Sequence, residues 1–127
     1  MFDGEGMEVA MPAELNHYPG PRHVLDLGGR LQLSGAQKKS VQDSFDRMHS
    51  EAIRLGRQLV DKERALDKAF VLGTVGMTPL KQLTEGIEEL RGQLRDVHLA
   101  AHINVRSTLT REQIESYDRL RGYSGKE

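Results

Sequence analysis

Histidines at helical spacing are the side chains of this chain best suited to chemistry. His98 and His102 lie four positions apart, so a helix that carries them presents both imidazoles on one face. Two imidazoles on one face suit the chelation of Zn, Ni or Cu. If two long helices pair around a turn centred near Val75, His49 lies level with His102. The spacing therefore predicts a divalent transition-metal site at His49, His98 and His102.

Other side chains could complete this site, and a structural interpretation competes with it. Asp46, Glu51 or a water molecule could supply a further ligand, and His17 and His23 are weaker candidates near the Pro-rich N-terminal region. The histidines of the long helices flank apolar positions, where amphipathic side chains commonly lie without any ligand. Both interpretations stay open, and nothing in the sequence requires a cofactor.

Arg91, Arg95 and Arg106 form a basic stripe beside the same apolar positions. Long Arg side chains offer both contact area and charge, so a mixed cationic and apolar face could hold a non-native polypeptide loosely. The alternative is a solvated face paired with acids such as Asp43, Glu51 and Asp61. We favour this alternative, because charged helical faces usually serve solubility.

Catalytic patterns are missing from the sequence. It contains no Gly-rich phosphate loop and no Gly-x-Ser-x-Gly turn, and its carboxylates are spread along the predicted helices. Cysteine is absent, which excludes thiolate nucleophiles, disulfides and Cys-ligated metal sites. We therefore expect a protein that is not an enzyme.

Charge and hydropathy exclude further classes of partner. The 18 basic side chains nearly balance 19 acidic ones, which gives no electrostatic reason to expect nucleic acid as a partner. No stretch approaches the roughly 20 apolar residues that a membrane helix needs. The first residues are acidic and lack both a basic start and an apolar run, so we expect no signal peptide in the sequence as given.

Two similar pentads mark the starts of helices. Leu33-Ser34-Gly35-Ala36-Gln37 recurs as Leu109-Thr110-Arg111-Glu112-Gln113, each time before a stretch with helical periodicity. Each copy fits a capping box, in which the hydroxyl accepts from an amide one turn later and the Gln side chain reaches back to the cap's own N–H. We therefore expect Ser34, Gln37, Thr110 and Gln113 to be structural caps.

Two long stretches between the pentads have the periodicity of amphipathic helices. The first runs from Ser34 to a stop near Gly73 to Gly76, and the second opens at Thr78-Pro79, with Thr78 as N-cap. Their apolar stripes, with the 4-3 spacing of a heptad repeat, consist of Val41, Phe45, Met48, Ala52, Leu55, Leu59 and Leu66, and of Leu83, Ile87, Leu90, Leu94, Val97 and Ala101. Matching stripes and a short Gly-containing turn predict an antiparallel helical hairpin.

Shorter elements complete an all-α fold. We predict a short helix at His23–Leu31 and a final helix from Thr110 to about Leu120, and no alternating run is long enough for a strand. A thin helical chain of this length buries little surface, so we expect it to form oligomers. The predicted organisation is a flexible N-terminal arm at 1–22, a helical hairpin domain at 23–123 and a C-terminal tail at 124–127.

The order and spacing of these features resemble a known family. The two pentads, at the starts of the second and fourth helices, resemble the LTxxQ signature of the Spy/CpxP family of bacterial envelope-stress proteins and of the related periplasmic heavy-metal sensors. The likeness covers about residues 15 to 123 and includes the segments Pro19–Leu25, His98–His102 and Tyr117–Leu120. The first pentad departs from the signature by Ser in place of Thr, which preserves the cap.

The resemblance implies a four-helix hooked hairpin that forms a homodimer in the periplasm. It implies an ATP-independent chaperone for unfolded or partly folded clients, with a membrane-bound sensor or signalling protein as a further partner. The alternative is a periplasmic sensor or resistance protein for Zn, Ni or Cu. Ligands in the sensor relatives lie on the first three helices, which makes His23, His49, His98 and His102 candidates by position. A second alternative is a helical adaptor that binds neither metal nor client.

Overall fold

The computed structural model describes residues 10–123, and all regular structure in that range is helical, as predicted. Among these helices, none combines the length with the apolar character that a membrane span requires. The predicted tail at 124–127 and the first nine residues of the predicted arm lie outside the described residues. The helices are α1 (Met11–Glu14), α2 (Pro21–Asp26), α3 (Gly28–Leu31), α4 (Gly35–Val71), α5 (Met77–Thr108) and α6 (Arg111–Arg121).

Both predicted capping boxes are confirmed. At the start of α4, Ser34 Oγ accepts from the Gln37 N–H at 3.1 Å, and Gln37 Oε1 accepts from the Ser34 N–H at 2.9 Å. The same two bonds join Thr110 and Gln113 at the start of α6, at 3.1 and 2.9 Å. Each box satisfies amides that the first turn of a helix leaves without an intrahelical partner.

The two boxes also contact each other, through a pair of side-chain amides that we call the glutamine clasp (Gln37 and Gln113). Gln37 Nε2 donates to Gln113 Oε1 at 2.7 Å, and Gln113 Nε2 donates back to Gln37 Oε1 at 3.0 Å. The remaining amide hydrogens reach the carbonyl oxygens of Thr108 and Leu31, at 3.0 and 3.1 Å. The clasp therefore ties the start of α4 to the start of α6.

The two long helices pack against each other along their apolar stripes. Ser40 lies beside Thr108, with 3.2 Å between their hydroxyl oxygens, and Glu63 lies beside Arg91, with 3.4 Å between the charged atoms. The start of α4 thus adjoins the end of α5. The core between them consists of Ala52, Leu55, Leu59, Ile87, Leu90 and Leu94.

A second core lies at the end of the molecule that carries the clasp. Here α2 packs against α4 and α5, α3 packs against α6, and these helices together bury a separate set of apolar side chains. Leu33, from the first pentad, packs against this core, and Leu109, from the second, is part of it. The buried members are Val24, Leu31, Val41, Val105, Leu109 and Tyr117.

The turn between the long helices corrects one predicted cap. Helix α4 ends close to the predicted stop, where Gly73 adopts φ +67° and the Thr74 N–H donates to the Ala69 carbonyl at 3.0 Å. Thr78 is not the N-cap of the next helix, because α5 already begins at Met77 with Gly76 as N-cap. Pro79 then lies in the first turn, where a missing N–H costs no hydrogen bond.

The N-terminal segment (residues 10–20) contains more regular structure than predicted. Its Pro and Gly content suggested an irregular arm up to residue 22, but α1 forms at Met11–Glu14, and Ala10, Glu14 and Pro19 are buried. The helix predicted from His23 instead begins at Pro21. The buried Glu14 holds this segment against α6 through a hydrogen bond from Tyr117. The composition of the segment does not reveal such a contact.

Candidate functional site

Three of the predicted histidines line one small cavity beneath the N-terminal segment. We call it the histidine cavity, and its volume is about 70 Å³, enough for about two water molecules. Side chains of α1, α2, α4, α5 and the end of α6 contribute to its wall. The lining includes Met11, Glu14, His23, Phe45, Met48, His98, His102, Arg121 and Tyr123.

Glu14 is the buried charge at the edge of this cavity, with only 5% of its surface exposed. Its Oε1 accepts hydrogen bonds from the hydroxyls of Tyr117, at 2.5 Å, and Tyr123, at 3.3 Å. Its Oε2 accepts from the Gly20 N–H at 3.0 Å. A buried carboxylate is costly unless such donors satisfy it, so these bonds explain how Glu14 is tolerated.

His102 is held by the same segment. Its Nδ1 lies 2.7 Å from the Tyr18 carbonyl oxygen and 3.6 Å from Glu14 Oε2. Because a carbonyl only accepts, Nδ1 carries the hydrogen, and Nε2 of the neutral ring carries the lone pair. The ring also lies over Gly20, where an added Cβ would come within 2.8 Å of His102 Cε1. Glycine at this position is therefore what permits the close approach.

His98 and His23 complete the histidine lining of the cavity. His98 is buried one helical turn before His102, and His23 is half-buried on α2. Burial lowers the pKa of His23, the nearby Arg121 guanidinium lowers it further, and Glu14 opposes both effects. His23 is therefore biased towards its neutral form, which is the form that binds metals.

His49 lies outside the cavity. It is exposed on α4, where its ring stacks on Phe45 with 5.6 Å between the ring centres. Within residues 10–123, no three His, Asp or Glu side chains are grouped closely enough to hold one metal ion. The structure therefore does not assemble the predicted set of His49, His98 and His102 in this conformation.

His17 belongs to a separate polar contact. Its Nδ1 lies 2.6 Å from Oδ2 of Asp118, a buried residue of α6. His17 itself has φ +70°, a left-handed conformation that turns the chain from α1 towards Tyr18. Two residues of the N-terminal segment, Glu14 and His17, are therefore bound to Tyr117 and Asp118 of α6.

The predicted basic stripe is divided between different surroundings. Arg91 lies 3.4 Å from Glu63 and 3.7 Å from Glu88, so it is paired with acids, but not with the predicted ones. Asp43 instead pairs with Lys39, and Glu51 with Arg54. Arg95 is exposed on α5, the helix of Arg91. Arg106 instead places its guanidinium carbon 4.2 Å from the centre of the Tyr18 ring. The stripe is therefore not one surface with one role.

Several residues of this site carry no signal in the sequence. Glu14 lies in a segment whose composition predicted an irregular arm. The periodicity of the last helix predicts Tyr117 only as one position of its apolar side. Neither local pattern indicates that the two side chains are joined across 103 positions of sequence. Only the lone acid between Ala13 and Leu15 could have suggested a buried carboxylate.

No family model, curated protein or solved structure matches this chain. The likeness to the Spy/CpxP signature therefore depends on the pentads and the accompanying segments alone, and it stays a prediction.

Proposed function

We propose that this protein is an ATP-independent, non-enzymatic chaperone of Spy/CpxP type that binds unfolded or partly folded proteins. In this proposal the chain is a four-helix hooked hairpin, forms a homodimer and acts in the periplasm, with a membrane-bound sensor or signalling protein as a further partner. The glutamine clasp supports the architecture, because it joins the two pentads on which the resemblance depends.

The observation that carries the proposal is an exposed apolar tip, which consists of Phe70, Val71, Leu72 and Met77. Phe70 is 58% exposed, Val71 76% and Met77 82%, although the same helices bury their apolar stripes elsewhere. These side chains adjoin the turn between the long helices, far from the short helices. Phe70, Val71 and Leu72 are consecutive, and exposed apolar side chains that lie together mark interaction sites in soluble proteins. Unfolded polypeptides offer complementary apolar side chains.

A light-scattering assay tests the proposal. A heat-unfolded client is mixed with the protein in the absence of ATP, and we expect stoichiometric amounts to suppress its aggregation. The double variant Phe70→Ser/Met77→Ser should require at least threefold more protein for the same protection. Leu15→Ser/Leu120→Ser is the matched control, because it makes the same type of change at two other exposed apolar positions. Absence of suppression by the wild-type protein at excess would refute the chaperone function.

A metal-binding function is the second candidate, and the histidine cavity supports it. His23, His98 and His102 share this cavity with the thioethers of Met11 and Met48. Imidazole binds Zn, Ni and Cu, and methionine sulfur favours Cu(I) among them. A small rearrangement of side chains around His102 Nε2 would be needed, since the present conformation does not group three of the His, Asp or Glu ligands.

Calorimetric titration with Zn, Ni and Cu(I) separates this candidate from the first. We expect His98→Ala/His102→Ala to lower the affinity at least tenfold, and His49→Ala to leave it unchanged because His49 lies outside the cavity. Circular dichroism verifies that each variant is helical. Equal loss in His49→Ala would favour the predicted set of three histidines over the cavity, and an unchanged affinity in the double variant would exclude both.

A further inference from the structure

An open groove lies where the N-terminal segment meets α5 and α6. We call it the α5–α6 groove, and it is lined by Tyr18 of the segment, Ile103 and Arg106 of α5, and Ile114 and Arg119 of α6. Its volume is about 880 Å³. That is large for a small-molecule site, and its open form suits an extended chain more than an enclosed ligand.

The floor of the groove is apolar. Ile103 is 59% exposed, whereas its neighbours His102 and Val105 are buried. Ile114 of α6 and the ring of Tyr18 are half-buried beside it. The groove thus presents three apolar side chains from three different elements in one concave surface, which is the arrangement expected for an anchoring side chain of a partner.

The acidic residues of the groove are already engaged within the chain. Glu115 lies 3.4 Å from the guanidinium of Arg111, and Asp118 lies 2.6 Å from Nδ1 of His17. Asp118 is also buried, and the charge of Glu115 is balanced by Arg111, so neither carboxylate is the contact expected for a basic partner.

Two arginines of the groove remain available to an acidic partner. Arg119 donates to the neutral Ser116 hydroxyl at 3.0 Å, and Arg106 stacks over the Tyr18 ring. Among the ion pairs within residues 10–123, none involves either of them. They belong to two different helices that line the groove, α5 and α6, and a guanidinium on each helix can pair with a carboxylate of the partner.

We propose that the α5–α6 groove docks an extended polypeptide segment in which an apolar side chain is flanked by acidic ones. The apolar side chain packs on Ile103 and Ile114, and the flanking carboxylates pair with Arg106 and Arg119. The 11 residues of α6 span about 16 Å, the length of about five extended residues. The inference rests on the proposed binding of unfolded clients and adds to the apolar tip a docking site that is selective for charge.

Fluorescence anisotropy with three labelled peptides of eight residues tests the chemistry of the partner. One peptide has a central Leu flanked by Glu, a second has Lys in place of each Glu, and a third has Ser in place of Leu. We expect the first to bind at least tenfold more tightly than either of the others, and to weaken as salt screens the Arg–Glu pairs. Equal binding of the peptide without Leu overturns the proposal in favour of a simple anion site.

Charge reversal tests the place of binding. Arg106→Glu/Arg119→Glu should weaken the Glu–Leu peptide at least tenfold and strengthen the Lys–Leu peptide. Arg54→Glu/Lys81→Glu makes the same change in net charge at exposed positions outside the groove, and we expect less than a twofold effect. If the groove variant binds the Glu–Leu peptide as the wild type does, the groove assignment is wrong.

The same variants distinguish this inference from the proposed function. Suppression of aggregation without selective peptide binding overturns the groove and leaves the chaperone proposal intact. Selective peptide binding at the groove without suppression of aggregation supports the groove and refutes the chaperone function. A change of oligomeric state in the charge-reversal variant, measured by sedimentation, would identify a second copy of the chain as the occupant and overturn the proposal.

Discussion

Glu14 and Tyr117 show how single side chains fix the N-terminal segment. The Tyr117 hydroxyl is buried beside the carboxylate, and burial together with Glu14 strongly raises its pKa. The phenol therefore stays protonated and acts as a permanent donor. Because its partner is a buried charge, this hydrogen bond matters more for stability than one at the surface.

Removal of this donor tests its importance. We expect Tyr117→Phe to lower the free energy of unfolding by about 1–3 kcal/mol, because Glu14 Oε1 loses its shorter hydrogen bond without gaining water. Tyr123→Phe is the matched control, and its effect should be smaller because that hydroxyl lies 3.3 Å from the same oxygen. Urea denaturation measures both variants, and an equal or larger effect of Tyr123→Phe would contradict this account.

His23 makes stability depend on pH. Its pKa in the folded protein lies below the ordinary histidine value of 6.5, mainly because of burial and then because of Arg121. Between the folded and unfolded pKa values the unfolded chain binds more protons, so the free energy of unfolding rises with pH in that window. We expect His23→Gln to flatten the pH profile of urea denaturation between about pH 5 and about pH 7. An unchanged slope would show that folding does not shift the pKa of His23.

At the scale of the helices, the sequence predicts interactions between neighbouring residues better than interactions between distant ones. The capping boxes were predictable because each is made within four residues, and the stripes because a helix repeats its faces. The glutamine clasp was not predictable from local sequence, because Gln37 and Gln113 come together only through the packing of α5 on α4. The same limit explains the histidines: the spacing of His98 and His102 follows from one helix, whereas His49 depends on the rotation of another.

The clasp predicts a measurable coupling between the two pentads. Gln37→Ala and Gln113→Ala should each destabilise the protein, and the double variant should cost less than the sum of the two, by about 0.5–3 kcal/mol. A cycle between Gln42→Ala and Gln113→Ala is the control, because Gln42 is exposed on α4 and its side chain, among residues 10–123, bonds only Asp46. Additive effects at the clasp would show that the two boxes act independently.

At the scale of the whole molecule, the two ends of the long helices differ in what they expose. One end carries the clasp, the second core and the N-terminal segment, and the other end carries the exposed apolar tip. The N-terminal segment contributes to both the histidine cavity and the α5–α6 groove. A change that loosens this segment should therefore alter both.

Gly20→Ala is the substitution that tests this connection. The added Cβ would lie 2.8 Å from His102 Cε1, so either the ring or the segment must move. We expect faster hydrogen exchange in the segment around Tyr18 and several-fold weaker binding of the Glu–Leu peptide, because Tyr18 forms one wall of the groove. Gly92→Ala meets nothing within 4 Å and should instead stabilise α5, by about 0.5–1 kcal/mol. If Gly20→Ala leaves exchange in the segment and peptide affinity unchanged, the cavity and the groove are not connected through it.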